Sequence, residues 1–366
     1  MEQKQGTMED MGIEKDFWCG RRVFLTGHTG FKGSWMSIWL KVMGAKVTGY
    51  SLSPTGDENL YKLANIAECV DSNFADIRDL EKLKAAMVTA QPEVVIHMAA
   101  QSLVRDSYND PIGTYATNVM GTANVLEVAR KIESIRVVLN ITSDKCYENK
   151  EWERGYREGD PMGGYDPYSS SKGCSELVSS AYFRSFLNEK NIGLGTARAG
   201  NVIGGGDWAK DRIVPDAIRA FVQKETLKIR NPMATRPWQH VLEPLSGYLL
   251  LCQNLYKDPK QYSSAWNFGP ESVDIQPVSR LADGLVRNWN NDVAWQLDQG
   301  EHPHEARLLN LDCTKAQAGL GWRPIWRFER AIKETTDWYK AWYDKKDMQK
   351  FTIEQIMNYT NALQVQ

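Results

Sequence analysis

Six cysteines are few for 366 residues, and none of them makes a CxxC pair or stands at a spacing typical of a metal site. Cys19, Cys69, Cys146, Cys174, Cys252 and Cys313 therefore read as reduced, mostly buried thiols, and no metal is expected. An excess of charge of one sign is lacking too. The 44 Lys and Arg against 46 Asp and Glu leave a formal net charge of −2, which gives no argument for a nucleic-acid or membrane partner. No apolar stretch approaches the roughly 20 residues that span a bilayer. The polar opening MEQKQGTMEDMG is no signal peptide and reads as a flexible tail over residues 1–19. Internal repeats and low-complexity segments are missing as well. These absences leave a globular protein of a reducing, cytoplasmic compartment, long enough for two lobes.

What is present is alternation. RRVFLTG (21–27), residues 45–50, PEVVIHMAA (92–100), RVVLNITS (136–143) and IGLGTARAG (192–200) read as strands, several of them near-continuous apolar runs. Between them, 31–43 and 111–131 carry helical spacing, and another helix starts near Pro167. Strand and helix in turn predict an α/β fold, a doubly wound parallel sheet of the Rossmann type over residues 20–200. Beyond Gly200, prolines at 215, 232, 237, 244, 259, 270 and 277 break the chain into shorter elements. A smaller α+β lobe is expected over 201–366, with segments near 240–270 returning to the first lobe.

TGHTGFKG (26–33) sets Gly27, Gly30 and Gly33 between a strand and a helix. Gly27 suits a tight turn, Gly30 a close approach of backbone to pyrophosphate, and Gly33 the packing of helix on strand. The helix N-terminus adds N–H donors and a partial positive charge, so the segment reads as a dinucleotide site. His28 and Lys32 lie inside this loop, where each reads equally as a pyrophosphate contact or a solvent-facing residue. An acid after the second strand, which would bind the ribose of NAD, is missing, and Tyr50-Ser51-Leu52-Ser53 stands there. No arginine stands there either to meet a 2′-phosphate, which predicts NAD over NADP. Asp76 can reach the adenine end or cap a helix.

YDPYSSSK (165–172) places Tyr168 and Lys172 four apart on one helix face, behind an Asp166 cap and Pro167. An ammonium beside a phenol favours phenolate, which would make Tyr168 a base for an alcohol. ITSDKCYEN (141–149) ends an apolar run in Ser143, Asp144 and Lys145. Neighbours in a strand point to opposite faces, an objection that weakens where the strand ends.

Together these motifs resemble the extended short-chain dehydrogenase/reductase family. HMAAQS (97–102), NVMGTANVLE (118–127), ARAGNVIGG (197–205), RPWQHV (236–241) and LGWRP (320–324) are similar to family stretches as well. The resemblance implies NAD in the Rossmann domain and a nucleotide sugar in the smaller lobe. It places Phe31, Ser51, Asp76, Ile77, Ala99, Ala100 and Asn118 along the cofactor with the glycine loop, Tyr168 and Lys172. Ser102, Asn201, Arg212, Arg236 and Arg307 fall to the nucleotide sugar, the last two as pyrophosphate clamps, and Trp208 to the sugar pocket. In the 4,6-dehydratase branch the strand end carries Thr-Asp-Glu. Here it reads Ser143, Asp144 and Lys145, with lysine in the place of glutamate. That variant, with GHTGFKGSW (27–35) and GGGDWAKDRIVPD (204–216), resembles the members acting on CDP-glucose.

The implied roles are Tyr168 as base at the C4 hydroxyl, Ser143 on the C4 oxygen, Asp144 as acid for the C6 hydroxyl and Lys145 as base at C5. The resemblance also implies a homodimer through the helices near 111–131 and 168–190, and a place in deoxysugar or O-antigen synthesis. A nucleotide-sugar 4-epimerase, a dehydratase for another NDP-hexose and a non-catalytic NAD(P) sensor are the rival readings. The epimerase has no use for Asp144-Lys145, and the sensor has none for Tyr168.

Overall fold

Apolar residues alternate between two faces along each central strand, and this alternation builds two cores. Val23, Leu25, Val94, Ile96, Val137 and Leu139 bury on one side, and Phe24, Val95 and Val138 on the other. A strand that must satisfy both faces is apolar throughout, which is the pattern of a parallel sheet covered by helices. The computed structural model describes residues 12–290, 292–300 and 308–364. Its sheet has seven parallel strands: β1 (Arg22–Thr26), β2 (Lys46–Ser51), β3 (Asp71–Phe74), β4 (Val94–His97), β5 (Val137–Ile141), β6 (Gly193–Ala199) and β7 (Ala265–Phe268). They lie in the order β7-β6-β5-β4-β1-β2-β3. The chain therefore reverses direction across the sheet between β1 and β4, and a crevice opens at the C-terminal ends of the strands there.

Helix α1 (Phe31–Val42) buries Trp35, Ile38 and Trp39 in the first core. α2 (Leu80–Ala90) and α3 (111–129) cover the opposite face with Leu83, Met87, Val125 and Leu126. α3 contains a π-turn over Ala116–Met120. α4 (Pro167–Tyr182) follows on the same side and runs into a second π-turn, Phe183–Leu187.

Past Gly200 the chain weaves between lobes. Val202–Ile203 pairs with Gln239–His240, and α5 (Leu242–Lys257) then packs against β5 and β6 before β7 extends the sheet. Short pairs, Leu227–Ile229 with Trp295–Leu297 and Thr235–Pro237 with Ile275–Pro277, form the second lobe with helices Ile213–Val222 and Val278–Trp289. α6 (Phe328–Tyr343) packs on Val278–Trp289, but α7 (Met348–Leu363) returns to the first lobe and sets Tyr359 edge-on to Trp39 at 5.7 Å.

Two boundaries differ from expectation. Within the expected tail, residues 12–19 are docked: Trp18 is fully buried and its indole N–H donates to Gln253 Oε1 at 3.1 Å. Two adjacent aromatics, Phe17 and Trp18, make burial against α5 more favourable than solvation. Residues 1–11 lie outside the described residues. The C-terminal helix, expected in the smaller lobe, belongs to the flank of the sheet. No described helix is long and apolar enough to cross a membrane.

Candidate active site

A cleft of about 1470 Å³ runs along the C-terminal strand ends, from the glycine loop to the second lobe. At its base Gly27 adopts φ +77°, and its N–H donates to the Tyr50 carbonyl at 2.9 Å. A Cβ at Gly33 would stand 2.1 Å from the Gly27 carbonyl oxygen, so only glycine lets α1 begin this close to β1. A Cβ at Gly30 would meet nothing nearer than that oxygen at 3.4 Å, so the open side of Gly30 faces the cleft. No side chain caps α1, which leaves its first N–H groups directed at the cleft. This cradle fits the pyrophosphate of a dinucleotide.

Phe31, Lys32, Ser51, Asp76, Ile77, Ala99 and Ala100 line the same end. Thr29 and Ser51 share a hydroxyl hydrogen bond of 2.8 Å, and Asp76 accepts from the Arg78 guanidinium with both oxygens. Two expected cofactor residues are placed elsewhere. The His28 ring turns away from the cleft, stacks on Phe74, meets Tyr61 edge-on and bonds Ser72 Oγ at 3.1 Å. Burial pushes it down to about 4. Glycine at position 49 makes room for the ring, since a Cβ there would stand 2.5 Å from it. Asn118 sits behind the wall, where its amide accepts from Gln101 N–H and donates to Gln101 O and Ser171 Oγ. It holds the segment after β4 against α4 and does not reach the cleft.

The strand-end trio is presented by a turn. β5 stops at Ile141, and Asp144–Cys146 forms a 3₁₀ turn whose N-cap is Ser143, accepting from Lys145 N–H at 3.2 Å. Leaving the strand brings Ser143, Asp144 and Lys145 together to the cleft. The Ser143 hydroxyl donates to Asp144 Oδ1 at 3.0 Å. Burial raises the Asp144 carboxyl against the pull of Lys145, Ser143, Lys32 and Arg236. Among the described residues, Lys145 is held in no salt bridge.

Opposite stands α4, begun by Asp166 accepting from Ser169 N–H at 2.9 Å and by Pro167 in the first turn. Tyr168 and Lys172 both line the cleft. The expected depression of the phenol by Lys172 is not found. Burial pushes Tyr168 up to about 12, with Ser143 acting in the opposite direction. The reason is that the Lys172 ammonium points to the Ile141 carbonyl at 3.2 Å and is itself depressed by burial to about 8. Lys32 is depressed likewise to about 8, first by burial and then by Arg212 and Lys172.

At the second-lobe end, Ser102, Asn201, Arg212 and Arg236 line the cleft. Arg212 donates to Asp207 Oδ2 at 2.8 Å. Arg307 lies outside the described residues. Trp208 does not line the cleft. It packs on Tyr339 and Trp342 at 5.3 and 4.6 Å. Sequence reasoning missed Arg105 and Asp211, which join the two sides of the mouth through a 2.8 Å ion pair. No local motif marks them, because their pairing spans 106 positions.

Known proteins can now be set beside this geometry. CDP-glucose 4,6-dehydratase of Salmonella typhimurium is 51% identical over 355 residues, spanning 96% of this chain and 99% of that protein. A probable dTDP-glucose 4,6-dehydratase of Sinorhizobium fredii is 25% identical over 87% of the chain and 92% of its own length. Among solved structures, dTDP-glucose 4,6-dehydratase of Bacillus anthracis in complex with NAD superposes with a TM-score of 0.73 at 19% identity, covering 89% of this chain and 99% of that one. UDP-glucose 4-epimerase of Thermotoga maritima with UDP-glucose gives 0.75 at 20%, covering 88% and 99%. A family profile described as GDP-mannose 4,6 dehydratase matches residues 24–335, and with most of its length so matched the chain belongs to that family.

Proposed function

We propose that the chain is an NAD-dependent CDP-glucose 4,6-dehydratase, a hydro-lyase converting CDP-glucose to CDP-4-keto-6-deoxyglucose and water. The observation that carries this reading is one cleft with the Tyr168/Lys172 pair on a helix and the Ser143-Asp144-Lys145 turn facing it. The 51% identical relative supports CDP-glucose as the substrate.

The glycine loop, with Gly27, Gly30 and Gly33, would hold NAD, which would supply a hydride acceptor at C4 of the hexose and a hydride donor at C6. Tyr168 accepts the C4 hydroxyl proton, and Ser143 hydrogen-bonds the C4 oxygen. A ketone at C4 acidifies the C5 proton, which Lys145 removes and gives back to C5 once the hydride has reached C6. Asp144, whose carboxyl burial raises, gives a proton to the C6 hydroxyl, which leaves as water. Arg212 and Arg236 meet the diphosphate, for which a planar guanidinium is suited. Epimerisation at C4 would leave Asp144 and Lys145 without a task.

Three further parts belong to the same proposal. The protein is a homodimer through α3 and α4, which pack side by side and expose Ile112 at 78%, Met120 at 56% and Leu177 at 61%. It works in the cytoplasm, a compartment in which its six free thiols stay reduced. Its product feeds a deoxysugar for a surface polysaccharide such as an O-antigen.

The test is a parallel assay of CDP-, dTDP-, UDP- and GDP-glucose with added NAD⁺, scoring loss of one water and a 4-keto product. Product from CDP-glucose alone is expected, and preference for another nucleotide would overturn the substrate. Sedimentation of the same preparation at micromolar concentration should give a dimer, and a monomer would remove the interface.

A further inference from the structure

Behind the reactive turn lies a buried ion pair. Glu176, one helical turn beyond Lys172 on α4, and Arg198 on β6 have side chains 6% and 3% exposed. Arg198 Nε and Nη2 donate to the two carboxylate oxygens, each at 2.9 Å. Neither residue lines the cleft. Each partner holds one flank of the turn. Thr142, just before Ser143, donates its hydroxyl to Glu176 Oε1 at 2.5 Å. Tyr147, just after the turn, accepts from Arg198 Nη1 at 2.7 Å, with the guanidinium 4.8 Å from its ring centroid. Thr196 on β6 donates to Glu176 Oε2 at 2.6 Å, and Tyr147 donates to Asn267 of β7 at 2.8 Å. The segment 142–147 is thus clamped at both ends to the helix that carries Tyr168 and Lys172.

We propose that Glu176 and Arg198 are positioning residues for the reaction, fixing the Ser143-Asp144-Lys145 turn at one distance from Tyr168 and Lys172. The proposal rests on the dehydratase reading above. That reaction makes one hexose meet two sets of groups, one at C4 and one at C5 and C6, within a single binding event. A misplacement of about 1 Å between the sets costs on the order of 10²-fold in rate. A buried pair is a poor source of stability, since apolar replacement of both partners is often tolerated. Two rigid forks are well suited to holding three elements in register.

The pair has a second effect through charge. Glu176 is the leading counter-charge for Lys172, followed by Cys146 beyond β5. Lys32 after β1 and His97 at the end of β4 also interact with Lys172. Asp144 and Lys145 follow β5, Arg198 sits on β6, and Asp166, Tyr168 and Cys174 share the helix of Lys172 or its cap. Removing the pair therefore lets burial depress Lys172 further.

The test is Glu176→Gln combined with Arg198→Met, because either change alone leaves a buried charge without its partner. The double variant should keep KM for CDP-glucose within about threefold while kcat falls by about 10²-fold. The titration of Lys172, followed by ¹³Cε NMR without substrate, should move to lower pH. Wild-type kcat with an unmoved Lys172 titration overturns the proposal, as does a raised KM at intact kcat. Should the double variant fail to fold, Thr142→Val keeps both charges and should lower kcat by about tenfold at unchanged KM. Unchanged kcat there overturns it equally. If wild-type protein makes no product from CDP-glucose, the dehydratase reading has failed. The NMR titration still decides whether Glu176 controls Lys172.

Discussion

A lysine abstracts a proton only when its amine is neutral, and it does so well only if nothing else claims that amine. Lys145 meets the second condition, since it holds no salt bridge among the described residues and lies half-buried on the cleft. Lys145→Met keeps most of the stem volume and removes the amine. Dehydration should then fall by about 10²–10⁴-fold, the usual contribution of a general base, while oxidation at C4 persists. Mixed with NAD⁺ and CDP-glucose, this variant should show lingering nicotinamide absorbance and slow washout of deuterium from C5. Tyr168→Phe should show neither signal. Wild-type turnover by Lys145→Met would make Lys145 a bystander. At this scale the sequence was informative about placement, since Tyr168, Lys172 and the trio at 143–145 all line one cleft. It misled where a tertiary contact decides. His28 and Asn118 stand inside motif stretches, yet both side chains turn into the protein. The Tyr168 phenol was expected low because Lys172 is near in sequence, and burial reverses that sign.

Elements were legible in proportion to their apolar periodicity. The strands β1, β2, β4, β5 and β6 follow the runs read from the sequence, because each is covered on both faces. β3 was missed because Asp71-Ser72-Asn73-Phe74 lies at the sheet edge and buries little, so nothing apolar marks it. The glycine loop was legible for a different reason. Its residues answer to steric limits that the structure now separates. Gly33→Ala would drive a Cβ to 2.1 Å from backbone and should destabilise the fold by about 1–3 kcal/mol, the range for overpacking. Gly30→Ala adds its Cβ at 3.4 Å from the nearest atom, on the cleft side, so melting should be unchanged. NAD⁺ affinity should nevertheless drop by at least about tenfold, because the backbone can no longer approach the pyrophosphate. Thermal melts and isothermal titration of the two variants test this contrast. Loss of stability in Gly30→Ala, or unchanged NAD⁺ binding in it, would show that Gly30 does not face the cofactor.

Across the whole molecule, the last helix is fastened to the sheet by one carboxylate that no motif announced. Glu243 begins α5 beside the sheet and is fully buried. It accepts from Ile325 N–H at 3.0 Å, from Trp326 N–H at 2.6 Å and from the Tyr359 hydroxyl at 2.6 Å. Three segments far apart in sequence therefore meet on one side chain, which adds to the Trp39–Tyr359 contact in holding α7 against the first lobe. Burial outweighs these donors and pushes Glu243 up to about 7 from an ordinary 4.5. Between those values the folded chain keeps a proton that the unfolded chain has released. The contribution to stability is therefore full below pH about 4.5 and is lost as pH rises through about 7. At about 1.4 kcal/mol per unit the loss is about 3 kcal/mol, or about 4 °C in melting temperature for a chain of this length. Glu243→Gln carries no charge at any pH and its amide oxygen still accepts from both backbone N–H groups. The fall in melting temperature between pH 5 and pH 8 should accordingly be about 3 °C smaller in Glu243→Gln than in the wild type, since part of the loss lies below pH 5. Equal falls in the two proteins would mean that Glu243 is ionised in the fold throughout, and that its three donors outweigh its burial.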